Sequence, residues 1–268
     1  MSIPPLSVVL DPLHLSHLAD IEHGFFTRDG GVSKGHFSSL NTAFSSGDRE
    51  ENIQKNRGRI MQHFQLLPQQ LYTANQIHSA KVIVLDHNHT LEPQQGDALV
   101  TNRHGLALGI MTADCAPILL ADAKHCVIAA LHGGWKGLQQ GIIAQTLQFM
   151  EQLGAERQYI KACIGPAIGP CHYRVGKEIV EQFTSQKAEY KKFFTPAKQL
   201  TAIDGDFSFN LWGLALHQLQ QEAIAAHCLN LCTYLHEDMF FSYRRAMHRA
   251  EKEYGRQLSV IVLKEKTS

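Results

Sequence analysis

The chain has 268 residues, of which 44% are hydrophobic and 19% charged, and its 25 basic residues balance its 25 acidic residues. This length allows a sizeable buried core, and the composition is typical of a globular protein. The zero net charge argues against general nucleic-acid binding, because such proteins carry a basic excess. No apolar run reaches the roughly 18–20 residues of a membrane span. The first residues lack the basic and apolar regions of a signal peptide, so a cytoplasmic protein is expected.

The predicted elements follow the hydrophobic pattern along the chain. A turn-rich segment over residues 24–48 precedes a predicted helix over 49–64. Short apolar runs bounded by turn residues indicate buried strands; they are predicted over 81–85, 97–101, 106–111, 117–120, 126–131 and 159–164. Helices are predicted over 137–153, with Gly154 as C-cap, and over 176–186 and 208–226. The last two strands are predicted over 230–235 and 258–263.

These strands and helices interleave without strict alternation, and no repeat or linker divides the chain. The pattern predicts one α/β or α+β domain over residues 1–268 with a mixed sheet. The six cysteines contain no Cys-x-x-Cys pair. In a chain expected in the cytoplasm they are predicted to be reduced thiols rather than disulfides.

Three residues in short Gly-rich or acidic contexts are candidate metal ligands. His78 follows Gln76-Ile77, Cys115 follows Asp114, and His132 precedes two glycines at the end of a predicted strand. Two imidazoles and one thiolate match a catalytic zinc site, which uses three protein ligands and keeps one position open. Copper also uses a His2Cys set, with a weak axial ligand. Their wide spacing matches no zinc-finger pattern. The residues alone therefore leave open a site without metal, with both histidines in turns and the thiol in the core.

Two carboxylates and one Cys–His pair suggest further roles at this site. Asp97 or Asp114 would orient a histidine or act as a general base. Without a metal, His132 would activate the Cys115 thiol in a hydrolase. A metal-stabilised interaction module is the non-catalytic alternative. Local pattern does not choose among these hypotheses.

The order of motifs along nearly the whole chain resembles that of the YfiH family, also called the laccase-domain, polyphenol oxidase-like or purine nucleoside phosphorylase family. The matching segments are, in chain order, Phe25–Ser33, Ser39–Asn41, Gly47–Asp48, Asn56–Arg57, Gln76–His78, Gly96–Ala98, Ala113–Ile118, His132–Gly137, Gly165–Cys171, Tyr173–Gly176, Phe240–Arg245 and Gly255–Arg256.

The resemblance implies a fold, a metal and an activity. The fold would be α+β, a single-domain four-layer α/β/β/α sandwich with mixed sheets. The metal would be Zn2+ bound by His78, Cys115 and His132, with Cu2+ as the alternative in an older description of phenol oxidation. The activity would be phosphorolysis of adenosine, inosine, guanosine and methylthioadenosine, together with hydrolytic deamination of adenosine to inosine. The partners would be a nucleoside and phosphate, with no nucleic acid, membrane or obligate protein partner.

The resemblance also distributes roles among residues. The candidate catalytic residues are then Cys115, His78, His132 and Asp114. Zinc would activate water for attack on C6 of adenine, and a carboxylate, Asp114 or Asp97, would carry the proton. The candidate substrate-binding residues are Arg28, Arg57, Lys136 and Trp135, with Arg244 and Arg245 as further cations.

The cations are candidates for holding phosphate, and Trp135 for stacking on a base. Lys136 stands where the family has arginine. A lysine cannot reproduce the bidentate arginine fork, so phosphorolysis is expected to be weakened if Lys136 contacts phosphate.

Overall fold

A computed structural model describes residues 21–86, 94–197 and 205–265. The helices are α1 (Glu50–His63), α2 (Trp135–Gln139), α3 (Ile142–Gln152), α4 (Lys177–Gln186), α5 (Leu211–Gln221) and α6 (Tyr243–His248). The strands are β1 (Ile21–Phe25), β2 (Leu71–Thr73), β3 (Val82–Val84), β4 (Ala98–Thr101), β5 (Leu106–Thr112), β6 (Ala116–Asp122), β7 (Val127–Gly133), β8 (Ile160–Ile164), β9 (Arg174–Val175), β10 (Phe194–Pro196), β11 (Phe207–Phe209), β12 (Ala225–Cys228) and β13 (Gln257–Leu263). Residues 1–20, on which the expected location depends, lie outside the described residues, so that location stays a prediction.

Two mixed sheets form the centre of the molecule. The smaller sheet has the order β1-β13-β5-β2, and its β2–β5 pair is parallel. The larger sheet has the order β12-β8-β6-β7-β4-β3, with a parallel pair at each edge and antiparallel pairs between them. A small antiparallel sheet, β10-β11-β9, forms separately. The prediction of mixed sheets is confirmed.

Side chains that alternate between the two faces of each strand divide the apolar core into layers. In β6, Leu119 belongs to the apolar cluster between the two sheets, whereas Ile118 and Leu120 pack with residues of the helices α2–α5. In β13, Ile261 belongs to the cluster between the sheets and Val260 packs with residues of α1. Because successive strand residues point to opposite faces, each buried strand serves two layers. Helix α1, the smaller sheet, the larger sheet and helices α2–α5 therefore form the four-layer α/β/β/α sandwich that the resemblance implied.

Three sequence-based predictions need correction. The predicted strand over 230–235 is wrong: the edge strand is β12, and 230–235 forms turns with one isolated bridge at Cys232. The helix predicted over 208–226 is shorter in the structure, where α5 spans only Leu211–Gln221. The prediction was too long because the apolar residues of the flanking strands β11 and β12 continue the pattern of the helix. The helix predicted over 137–153 is two helices, because Gly141 has a φ of 82° that interrupts the helical backbone.

Candidate metal centre between two cavities

Strand pairing brings the three candidate ligands to one end of the larger sheet. His132 lies in β7, and Cys115 immediately precedes β6, whose residue Pro117 pairs with His132. His78 lies in the loop between β2 and β3. One ligand atom from each of these three side chains lies within 4.8 Å of the other two. Residues 37 and 17 positions apart along the chain therefore form one cluster.

The cluster fits a three-ligand metal site. The donor set is two imidazoles and a thiol, which transition metals such as zinc accept. The two imidazole rings lie edge to face, with centroids 4.7 Å apart. Among the described residues, no fourth His, Cys, Asp or Glu joins this group. A bound metal would thus keep a coordination position for water or substrate, as catalytic sites do.

Gly134 leaves room for the ligands to approach each other. A Cβ atom at this position would lie 3.1 Å from Nδ1 of His78 and 3.4 Å from Sγ of Cys115. Its φ of −73° is open to any residue, so space rather than backbone conformation favours glycine here.

Asp97 organises two of the ligands from a position without solvent exposure. Its Oδ1 lies 2.8 Å from Nδ1 of His132 and accepts the backbone N–H of His78 at 3.0 Å. Its Oδ2 accepts the N–H of Ile77 at 3.2 Å and the N–H and hydroxyl of Ser79 at 2.7 and 2.8 Å. Because an ionised carboxylate only accepts, the Nδ1 of His132 carries the proton and Nε2 is left for a metal.

The same contacts shift the acidity of the cluster. Burial by itself raises the pKa of Asp97, but the hydrogen bonds from His132 and Ser79 outweigh it and lower the pKa to about 2. Burial by itself lowers the pKa of His132, but Cys115 and Asp97 outweigh it and raise the pKa to about 9. Partial burial lowers the pKa of His78, and the charge of His132 adds to this effect. Metal binding would therefore release a proton from His132.

The cluster lies where two cavities meet. The first has a volume of about 860 Å³ and the second about 1050 Å³. The residues that line both are His78, Ala113, Cys115 and Tyr243. A molecule in either cavity would therefore reach the same sulfur and imidazole.

The two cavities differ in chemistry. The first is basic, with the guanidinium groups of Arg57 and Arg256 among its lining. The second is lined by aromatic rings, including those of Trp135 and Tyr173, and by Asp114. Asp114 is the only carboxylate that lines either cavity among the described residues.

Asp114 is held tightly at the floor of the second cavity. It is 7% exposed and has a φ of 91°, in the turn that connects β5 and β6. Its carboxylate accepts the hydroxyl of Thr233 and the backbone N–H of Arg244, both at 2.6 Å. Burial nevertheless raises the pKa of Asp114.

Of the cations predicted to bind substrate, Arg57 lines a cavity and Arg28 does not among the described residues. The guanidinium of Arg28 donates to the carbonyls of Ser38 and Glu237, so it ties two loops together. Arg245 is buried and donates to the carbonyl of Thr233, so it also stabilises a loop. The structure thus separates these two arginines from the cluster.

The remaining predicted residues lie beside the second cavity. Trp135 is half-buried in its wall and begins α2. Arg244, which the sequence analysis named as a further cation, lines it too. Lys136 is exposed, lines neither cavity among the described residues, and has its ammonium 5.6 Å from the Trp135 ring. Sequence reasoning gave no role to Arg256; the available signal was its place in the Gly255-Arg256 segment of the resemblance.

A four-layer sandwich with a His2Cys donor set between two cavities is typical of a metal-associated enzyme that acts on a small molecule. The chain belongs to the family described as multi-copper polyphenol oxidoreductase laccase, whose model matches residues 22–264. Its relatives in this family carry the names YfiH and purine nucleoside phosphorylase. This membership confirms the resemblance seen in the sequence and supports a nucleoside phosphorylase-like function.

Individual relatives match over most of their length. A purine nucleoside phosphorylase of Bacteroides thetaiotaomicron is 32% identical, covering 93% of this chain and 94% of that protein. The purine nucleoside phosphorylase YfiH of Escherichia coli is 32% identical, covering 88% and 91%. The crystal structure of the Bacillus licheniformis hypothetical protein YfiH superposes with a TM-score of 0.82 at 28% identity, covering 91% of this chain and 93% of that chain.

Within the described residues, the helices are too short or too polar to cross a membrane.

Proposed function

We propose that this chain is a zinc-dependent purine nucleoside enzyme with two reactions. In one, phosphate cleaves adenosine, inosine, guanosine or methylthioadenosine to the base and a ribose 1-phosphate. In the other, water attacks C6 of adenosine and the amino group leaves as ammonia, which gives inosine. The observation that carries the proposal is the cluster of His78, Cys115 and His132 between a basic cavity and an aromatic one. The names of the Bacteroides and Escherichia relatives support the nucleoside substrates.

His78, Cys115 and His132 would hold the metal. A zinc ion there would supply a Lewis acid and lower the pKa of water to about 7, which deamination near neutral pH requires. Asp97 keeps the His132 imidazole in the tautomer that ligates through Nε2. Its bonds to the amides of Ile77 and Ser79 hold the loop that carries His78.

The second cavity suits the purine. Trp135 and Tyr173 line it, and aromatic faces bind nucleobases by stacking. Asp114 lines the same cavity beside Cys115, so it is the carboxylate placed to take a proton from water and return it to the purine during deamination. An Asp114→Asn variant is expected to lose deamination more than phosphorolysis, because only deamination needs that proton transfer. Equal loss of both reactions would contradict this role.

Two experiments test the whole proposal. The first measures metal in protein purified without added metal; about one zinc per chain is expected. The second incubates the protein with adenosine, with and without phosphate. Inosine formed without phosphate reports deamination, and free adenine formed only with phosphate reports phosphorolysis. Activity that requires added copper would instead favour phenol oxidation. Full activity in chelator, lost on thiol alkylation, would favour a Cys115–His132 hydrolase.

A matched pair of cysteine variants locates the metal. Cys115→Ala is expected to abolish zinc binding and both reactions. Cys126 is also partly buried but lies at the opposite end of the β6–β7 hairpin, so Cys126→Ala should retain both. Unchanged metal content in Cys115→Ala would refute the site.

A further inference from the structure

We propose that Arg57 and Arg256 form a phosphoryl-binding subsite in the first cavity, and that its ligand is inorganic phosphate. This inference rests on the proposed function, because it assigns the place of the phosphate co-substrate. It concerns the first cavity, which shares His78, Cys115 and Tyr243 with the aromatic cavity.

The first observation is that the charge of Arg57 has no acidic partner within the part of the chain that the structure describes. Its Nε donates to the carbonyl of Thr42 at 2.8 Å, its Nη1 lies 3.2 Å from Oγ1 of Thr73, and its guanidinium lies over the ring of Phe44 at 4.4 Å. These partners are neutral. Burial alone lowers the pKa of Arg57 to about 10, with no contribution from a carboxylate. Withdrawing a charge from water is costly unless the charge is paired, so this partly buried cation is prepared for an anion from outside the chain.

The second observation is an unused donor on Arg256. Its Nη2 donates to the hydroxyl of Tyr254 at 2.9 Å, and its guanidinium lies 4.7 Å from the centre of the Tyr254 ring. Its Nη1 is buried and has no hydrogen-bond partner among residues 21–86, 94–197 and 205–265. Buried donors in native proteins are nearly always paired, and Arg256 lines the first cavity, so a ligand bound there is a candidate partner for this donor.

A single buried residue positions both arginines. The carbonyl of Thr42 accepts from Nε of Arg57, while the N–H and hydroxyl of Thr42 donate to the carbonyl of Arg256 at 3.2 and 2.9 Å. Thr42 itself has no solvent exposure. Thr42 therefore fixes the guanidinium of Arg57 and the backbone of Arg256, while the Tyr254 hydroxyl holds the guanidinium of Arg256. Both cations are thus held before a ligand arrives, which lowers the entropic cost of binding.

The composition of the cavity points to a phosphoryl group. Among the described residues, its lining includes Arg57 and Arg256 and no acidic side chain. Arginine presents a planar set of donors that matches the oxygens of phosphate. The same cavity is lined by Cys115 and His132, so phosphate there would lie beside the cluster that also faces the nucleoside. Phosphorolysis would then not depend on Lys136, which lines neither cavity among the residues described.

The direct test measures binding of inorganic phosphate to the metal-loaded full chain by calorimetry. Arg57→Gln and Arg256→Gln are each expected to weaken phosphate binding by at least about ten-fold, the value of one charge-assisted hydrogen bond. Arg256→Lys should give a smaller loss, because it keeps the charge without the fork. Arg59→Gln is the matched control, since Arg59 lies on the same helix but donates to the carbonyl of Gly30 outside the cavity. It should bind phosphate as the parent protein does.

Kinetics provide the second readout. In both glutamine variants the KM for phosphate in phosphorolysis should rise at least ten-fold, whereas the KM in Arg59→Gln should match that of the parent protein. If Arg57→Gln fails to fold, as judged by circular dichroism, the Arg256 pair carries the test alone. Phosphate binding unchanged in Arg256→Gln would overturn the subsite.

Two further outcomes separate the alternatives. Arginine-dependent binding of adenosine 5′-monophosphate without binding of inorganic phosphate would overturn the assignment to free phosphate and place a nucleotide's phosphoryl group there. Arginine-dependent binding of inorganic phosphate, with no turnover of any purine nucleoside, would refute the proposed function and retain the subsite.

Discussion

Replacing Asp97 by asparagine tests the arrangement that holds the cluster. The carboxylate accepts two hydrogen bonds on Oδ1 and three on Oδ2. Asparagine keeps one oxygen and places an NH2 group where the other oxygen was. Whichever way the amide turns, at least two donors lose their acceptor. If the NH2 faces His132, the imidazole must also move its proton to Nε2, which blocks that nitrogen from a metal.

The magnitude follows from these counts. A hydrogen bond to a charged group contributes about 1.5–3 kcal/mol, so losing two costs about 3 kcal/mol or more of unfolding free energy. Residues that orient metal ligands typically change metal affinity by about 10–100-fold. Asp97→Asn is therefore expected to lose about 3 kcal/mol in urea unfolding of the metal-free protein. Its zinc affinity, measured by competition with a chelator, should fall by about 10–100-fold.

Asp122 offers a matched control in the same chain. It too has no solvent exposure, lies 2.7 Å from a histidine nitrogen, that of His125, and accepts the backbone N–H of Glu156 at 2.8 Å. It ends β6, whereas Cys115 precedes the first residue of that strand, which places them roughly 23 Å apart along an extended strand. Asp122→Asn should lose stability but retain zinc affinity. Equal losses of zinc affinity in the two variants, or none in Asp97→Asn, would refute the reasoning.

Three further predictions concern acid stability, packing and the core. The pKa of Asp97 in the folded protein, about 2, lies below its usual value of 3.8, so the stabilisation from this carboxylate is present above about pH 4 and is lost as the pH falls towards 2. The unfolding free energy of Asp97→Asn should therefore depend less on pH between 4 and 2 than that of the parent protein. The same pH dependence in both proteins would contradict this prediction. Gly134→Ala would crowd His78 and Cys115 and should lower zinc affinity about ten-fold, measured by chelator competition. Leu119→Ala, between the sheets, should lower the unfolding free energy by about 2–5 kcal/mol in urea while zinc affinity stays unchanged.

The sequence by itself predicted much of the sheet structure. Strands such as β6 and β7 are buried on both faces, so they appear as continuous apolar runs that local pattern detects. Strand β12 escaped detection because three of its four residues are not buried, and its segment has no such run. The sequence also did not predict that the helix breaks at Gly141, because many helices tolerate a single glycine without interruption.

The sequence also named the three residues of the cluster, through their types and their motif contexts. It named Arg28 as a substrate-binding candidate and gave no role to Arg256, although both are arginines beside glycine-containing segments. Strand pairing and loop packing put Arg256 into the cavity and turned Arg28 towards the carbonyls of two loops. Local sequence therefore determined which residues can do chemistry and which segments are buried. Only the tertiary structure decided which of them meet, because contacts between residues far apart in the chain depend on how the layers pack, and no local pattern encodes that.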